Sequence, residues 1–456
     1  MPTAYDQARS RDGHPASTAR QTSLRLLITA RFIAFFLTLA TVIAPRFAPV
    51  ILLGALFAVL LLRTAFELWK GRLFSHLRTL WPAPPLALPV ALFTGLALLG
   101  CGWSADPLGG FSKVALLLVL VVVVASISDA VAKADPELVR AAAEGFVAGM
   151  LVGAAYIVFE SVTRRSLSQW LFTHFPSLQS GYEKHLRLSR RGVLHVSDAN
   201  INRSTAALGL MFWPAVLAAL ATLSGRLRTI ALSGFAITLV ILLFYSRHQS
   251  TQLGLALSAA VLALASFSVP ATRRLLAGGW IGALVLVVPL SLLTYRYELH
   301  LSPALFNTAK ARIIIWNFTS ERVLESPLLG VGTNATRELD KLRKGLKEKP
   351  EGYTSALETR AHPHNAYLHV WYELGAIGAA LFGWLGLAVL AAVTRWPDAT
   401  QRFALAQFTA TSAVILSSYG LWQTWFQDTI AFSALALAAW AGLARRTLEK
   451  SGNTAG

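Results

Sequence analysis

Apolar runs of about twenty residues recur along nearly the whole chain, each closed by a short polar or basic stretch. That length is what a helix needs to cross a hydrocarbon core about 30 Å thick. Twelve such runs are read from the sequence: 25–45, 47–63, 83–101, 112–130, 142–162, 204–223, 228–245, 250–268, 276–295, 366–394, 403–421 and 427–444. A transmembrane barrel would show short alternating strands instead. The predicted fold class is therefore all-α: a polytopic helical membrane protein of about twelve transmembrane helices, with a large loop between the ninth and tenth. The first run lacks a small-residue cleavage site behind a short apolar core, so it reads as an uncleaved anchor.

Composition agrees with this pattern. Of 456 residues, 55% are hydrophobic and only 14% charged, far from a soluble domain. The single cysteine, Cys101, leaves no intrachain disulfide and no cysteine-based metal site. A formal net charge of +18 would ordinarily raise nucleic acid as a partner. Here the bases sit in loops beside spans, so the expected anionic partners are the lipid bilayer and a phosphorylated substrate, not nucleic acid.

The loop bases also give an orientation. Arg63, Lys70, Arg72, Arg78, Lys133, Arg140, Arg226, Arg228, Arg273, Arg274, Arg395 and Arg402 fall on one side, with the bases of both termini. By the positive-inside rule that side is cytoplasmic. The expected organisation is a cytoplasmic arm (1–24), nine spans (25–295) with an external loop at 163–203, a large external loop with short helices (296–365), three spans (366–444) and a cytoplasmic tail (445–456). Both external loops are basic against the trend, which an anionic ligand or a merely solvated surface would explain. Within the larger one, Pro303–Leu329 carries apolar residues at helical spacing, and Thr336–Lys349 puts Leu339, Leu342 and Leu346 on one stripe, as an interfacial helix would.

Three polar stretches converge on the external side: LRLSRRGVLHVSDANINRS (Leu186–Ser204), FYSRHQSTQLGL (Phe244–Leu255) and HPHNAYLHVWYELGAIG (His362–Gly378). Arg247 sits in a tight turn, where it either snorkels to headgroups or grips phosphate oxygens with its planar fork. Arg190 and Arg191 pose the same choice. His364 opens the tenth span, either as an anchor or as a general base near neutral pH. His362 and His369 compete for that role, and Asn365 could orient a ring or cap the helix. Glu373 reads as a structural hydrogen-bonding group. The histidine spacing is not that of a helical metal pair, and no Gly-rich nucleotide loop is present.

HPHNAYLHVWYELGAIG resembles the HxHN…E-x-G-x-x-G signature of the O-antigen ligase and polymerase family. ARIIIWNFTSERVLESPLLGVG is similar to the family's R…W…PLLGVG stretch, and YSRHQSTQLGL to its S-R segment, with His248 where a small residue is more usual. The resemblance runs from about Arg191 to Gly378. It implies a metal-independent glycosyltransferase without cofactor. Such an enzyme takes a glycan from an undecaprenyl-pyrophosphate carrier at the periplasmic face of the bacterial inner membrane. A ligase hands the glycan to lipid A–core; a polymerase hands it to another carrier-linked glycan, and a related branch to protein. The motif histidine maps to His364; the substrate arginines map to Arg191, Arg190 and Arg247; Arg312 falls on the R…W motif. With Asn365 and His362 these are the expected site residues, and the ligase is the expected activity. A transporter or lipid flippase would instead place its ionisable groups near the bilayer midplane.

Overall fold

The computed structural model describes residues 15–71, 77–180, 183–189, 194–344 and 362–453. Among them the chain is almost wholly helical. In order come α1 (Pro15–Ile43), α2 (Ala48–Trp69), α3 (Ala87–Gly100), α4 (Pro107–Lys133), α5 (Pro136–Val162), α6 (Ser166–His174), α7 (Asn202–Thr222), α8 (Gly225–Tyr245), α9 (Gln249–Phe267) and α10 (Val269–Arg296). Then follow α11 (Asn307–Glu325), α12 (Thr336–Lys344), α13 (Ala366–Val393), α14 (Asp398–Ser417) and α15 (Thr424–Asn453). The strands β1 (Leu186–Leu188) and β2 (Leu194–Val196) pair antiparallel between α6 and α7.

Ten of these helices are long and apolar enough to cross a membrane, so the chain is a multi-pass membrane protein. Each of the twelve expected spans falls on one of the helices just named, and ten of them meet that length and apolarity. The other two expected spans do form helices. However, α3 has only 14 residues, and α14 carries polar positions (Thr400, Gln401, Gln407, Thr409) that lie buried inside the bundle. An inward polar face lowers the hydropathy of α14 without exposing polar groups to lipid.

Helix α7 is the hub: 83% of its most apolar window is buried. Its core is shared with α5, α8, α9 and α15 through Leu208, Met211, Phe212, Phe146, Phe235, Leu255 and Trp440. Pro214 inside α7 has no N–H to give the carbonyl of Leu210. Gln407 Nε2 and Ser433 Oγ, from α14 and α15, both take that oxygen at 2.6 Å. Inside a bilayer no water could do so. Helices α1 and α5 meet along Gly145, Gly149 and Gly153, a small residue every fourth position. A Cβ at Gly145 would stand 2.0 Å from the Arg31 carbonyl oxygen, so the two backbones touch.

The two long loops, 163–203 and 296–365, are structured as far as they are described. The first holds α6 and the β-hairpin. The second holds α11 and α12, where the apolar spacing predicted helices; residues 345–349 of the second stretch lie outside the described residues.

Candidate active site

The turn SPLLGVG does not float above the bundle. Helix α13 breaks at Gly375, whose φ of 64° and ψ of −162° interrupt the ladder. The segment after α11 fills the break: Val331 N–H donates to Tyr372 O (3.0 Å), Gly332 N–H to Glu373 O (3.0 Å), and Ala376 N–H to Pro327 O (2.8 Å). A Cβ at Gly375 would lie 2.2 Å from Leu328 O, so only glycine fits there. Below it the Glu373 carboxylate accepts from the backbone of Asn334 (2.7 Å), the backbone (3.1 Å) and hydroxyl (2.6 Å) of Thr336, and Trp422 Nε1 (2.5 Å). The E-x-G part of the signature is thus a clamp that fixes the outer loop to a membrane helix. Glu373 is the structural group expected.

The same frame positions the histidines. Trp316, one turn beyond Arg312 on α11, donates from Nε1 to Pro363 O at 3.0 Å. His362, Pro363 and His364 precede α13, which starts at Ala366 with Asn365 as its N-cap; His364 therefore lies in a loop and does not open the span. The Asn365 Oδ1 accepts from Leu368 N–H at 3.1 Å, spending that side of the amide on the helix. Its Nδ2 is buried with no partner among the described residues.

Hydrogen bonding separates the competing histidines. His362 Nδ1 accepts the His364 backbone N–H at 3.1 Å, so the ring proton is on Nε2, 2.8 Å from the Gln423 amide. That amide must turn its oxygen toward the ring. His369 Nδ1 accepts from Leu421 N–H at 3.1 Å, and its Nε2 lies 3.0 Å from Glu373 Oε1. Both rings are fully used. His364 is different: its Nδ1 meets the carbonyl oxygen of Ser418 at 2.7 Å. A carbonyl only accepts, so Nδ1 carries the proton and Nε2 holds a lone pair. Nε2 has no hydrogen-bond partner among the described residues. His364 also adopts φ 55°, a left-handed conformation uncommon outside glycine. Strain of about 1–2 kcal/mol held by several contacts is a mark of functional positions.

The electrostatics favour a neutral imidazole. Burial pulls the His364 pKa below its ordinary value; the Ser418 carbonyl opposes this, and the Arg312 cation reinforces it. His362 is held well below its ordinary value by burial and by the neighbouring His364 and His369. The charge of Arg312, partly buried, is felt at His364, His248 and Tyr419, and burial draws its own pKa down. His248 bonds Thr251 Oγ1 (2.7 Å) and Ser418 Oγ (2.9 Å) and stacks on Tyr419. Burial, then Arg312, lowers its pKa to about 4. Burial pushes the Tyr419 phenol up to about 12. The result is a cluster of neutral rings under the charges of Arg312 and, at Tyr419, Arg203.

Against the sequence expectations, His364 and Arg312 come together, while Arg247 does not join them. Arg247 is exposed and lines a separate groove with Arg164, Arg165, Arg187 and His195. One residue along the chain, His248 turns the other way. Arg190 and Arg191 lie outside the described residues. Sequence reasoning missed Ser418, Tyr419, Gly420, Trp422 and Gln423. The run SYGLWQTW between two apolar stretches was the available signal.

Residues 210–383 match the model of the O-antigen ligase family, so the resemblance carried by the motifs holds over that stretch. The chain is similar to the "Putative polysaccharide ligase" of Rickettsia conorii, 25% identical over 229 residues, which are 50% of this chain and 54% of that protein. The protein of that name in Rickettsia felis is 26% identical over 253 residues, 54% of this chain and 59% of the other. The chain thus spans a little over half the length of these relatives.

Proposed function

We propose, from the O-antigen ligase domain at residues 210–383, that this chain transfers a glycan from undecaprenyl pyrophosphate to lipid A–core. The reaction takes place at the periplasmic face of the bacterial inner membrane, and both termini are cytoplasmic. The observation that carries the mechanism is the single available ring nitrogen. Of the three clustered histidines, only His364 keeps a lone pair without a partner among the described residues, and the Arg312 charge acts on it.

An acceptor sugar hydroxyl approaches His364 Nε2 and gives up its proton there as its oxygen attacks the anomeric carbon. The bond from that carbon to the pyrophosphate oxygen breaks, and the electron pair leaves with the lipid pyrophosphate. Arg312 stabilises the charge that gathers on the departing group, in a pocket dry enough to strengthen the interaction. The Ser418 carbonyl holds the imidazole in the tautomer that can accept, and steadies the imidazolium once formed. Arg190 and Arg191, which the family pattern assigns to substrate, would add to the anion's seat. A direct displacement of this kind inverts the anomeric centre.

The test is transfer with purified protein, polyprenyl-pyrophosphate-linked glycan and lipid A–core, in chelator, for wild type and His364→Ala. Glycan on lipid A–core that is lost with the substitution supports the reading. Lengthened carrier-linked glycan would make the enzyme a polymerase. No transfer by folded wild type would overturn the transferase reading in favour of transport.

A further inference from the structure

The groove that holds Arg247 is built as a site in its own right. It encloses about 840 Å³ at the ends of α5 and α8, within the size range of small-molecule sites. Its lower wall is apolar, from Val158 and Val162 of α5 and Ile241 and Tyr245 of α8. Val162 and Tyr245 stand 76% and 74% exposed at the helix ends, so the wall is open to the bilayer side. The upper wall is basic. Arg187 and His195 are directly paired across the hairpin, which places both on one face, and both are exposed. Arg164 comes from the end of α5, and Arg247 from the turn after α8. No carboxylate lines the groove among the described residues. The one near its floor, Glu160, is buried and turned inward to Ser168 and the backbone of Leu167. An apolar wall beneath a cationic rim fits one chemistry: an amphiphile with a phosphate head.

We infer that this groove seats the phosphate head of an amphiphile, and, resting on the transferase reading above, that the amphiphile is the acceptor. The donor's pyrophosphate is bonded to the reacting carbon, so it must sit beside His364. Neither His364 nor Arg312 lines the groove. The phosphate held there is therefore one remote from the reacting bond, as on a phosphorylated glycolipid acceptor. The single step from Arg247 to His248 links the two seats.

The experiment uses the full chain with Arg164→Gln/Arg187→Gln, and Arg187→Gln alone as the milder variant. Native mass spectrometry of detergent-solubilised protein reads retention of added phosphatidic acid against phosphatidylcholine. Wild type should retain phosphatidic acid preferentially, and the double variant at least tenfold less. Equal retention by both proteins, or no preference in wild type, overturns the seat. In transfer assays the double variant should raise KM at least tenfold for phosphorylated lipid A–core and leave KM for the dephosphorylated acceptor unchanged. A rise for both acceptors, or a rise in donor KM, overturns the acceptor assignment, as does loss of lipid retention with no change in acceptor KM. The lipid-binding arm needs no turnover, so failure of the transferase reading and failure of the groove are read separately.

Discussion

His364 Nδ1 sits 2.7 Å from the carbonyl oxygen of Ser418, and this contact joins the loop before α13 to the loop after α14. It decides which ring nitrogen is basic. Because His364 titrates below its ordinary value, transfer should persist on the acid side of pH 6.5 and fall only as pH drops through the depressed pKa. A kcat–pH profile of wild type reads this directly. His364→Gln, which keeps polarity without the base, should lose about 10²–10⁴-fold in kcat and flatten that acid limb.

Under the proposed mechanism Arg312 receives the departing pyrophosphate, and its planar fork matters more than its charge alone. Arg312→Lys should lower kcat substantially, because a point charge cannot bind pyrophosphate oxygens bidentately. Arg312→Ala should lower it further, by about 10²-fold or more, the cost of removing one charge-stabilising group. Single-turnover kinetics at saturating donor would separate this loss from weaker binding.

Gly420 carries no chemistry but should be intolerant. A Cβ there would lie 2.7 Å from His362 Cγ, so alanine must push the buried imidazole off Gln423. The expected cost is about 1–3 kcal/mol of stability, as for overpacking elsewhere. Activity should fall with it, since the His362 ring carries the His364 backbone. Thermal unfolding in detergent and transfer, measured on the same preparation, check both.

Glu373→Leu should be worse. It leaves the Asn334 and Thr336 N–H groups and Trp422 Nε1 buried without an acceptor. Each orphan costs about 1–3 kcal/mol, so the protein should fail to accumulate or unfold well below wild type. Glu373→Gln keeps an acceptor oxygen and should fold with a smaller loss.

Acid should loosen the external face. An unfolded histidine binds a proton near pH 6.5, whereas buried His248 does so only near 4. Between those values the unfolded state holds more protons, so stability falls as pH is lowered from 6.5. His248 alone contributes on the order of 3 kcal/mol to that loss by about pH 4, and His362 adds in the same direction. A melting series from pH 7.5 to about 4 should slope downward below 6.5. In His248→Asn the slope should be shallower.

Much of this was legible before the structure. Runs of apolar residues marked the membrane helices, since bilayer thickness fixes their length. They marked α14 as well, although its inward-facing Gln407 and Thr409 make it one of the more polar helices of the bundle. Residue type and order singled out His364 and Arg312, the residues the proposed mechanism uses. Adjacency misled for Arg247: it shares a turn with His248, yet the two side chains part at that turn toward different sites. Nothing in the sequence said which of His362, His364 and His369 keeps a lone pair. That depends on backbone groups of Leu421 and Ser418, more than fifty residues away.

The break at Gly375 divides α13 into two rods of unlike allegiance. The lower rod belongs to the bundle. The upper, Ala366–Leu374, is bonded to Val331, Gly332 and, through Glu373, Asn334 and Thr336, and the preceding loop to Trp316 of α11. Mechanically the described segment from α11 to residue 332, the upper rod and His364 are tied together by these bonds. Because Pro327 and Leu328 also accept from Ala376 and Ile377 beyond the break, the turn splints both rods, and a displacement of α11 is passed to the His364 loop and to the bundle together.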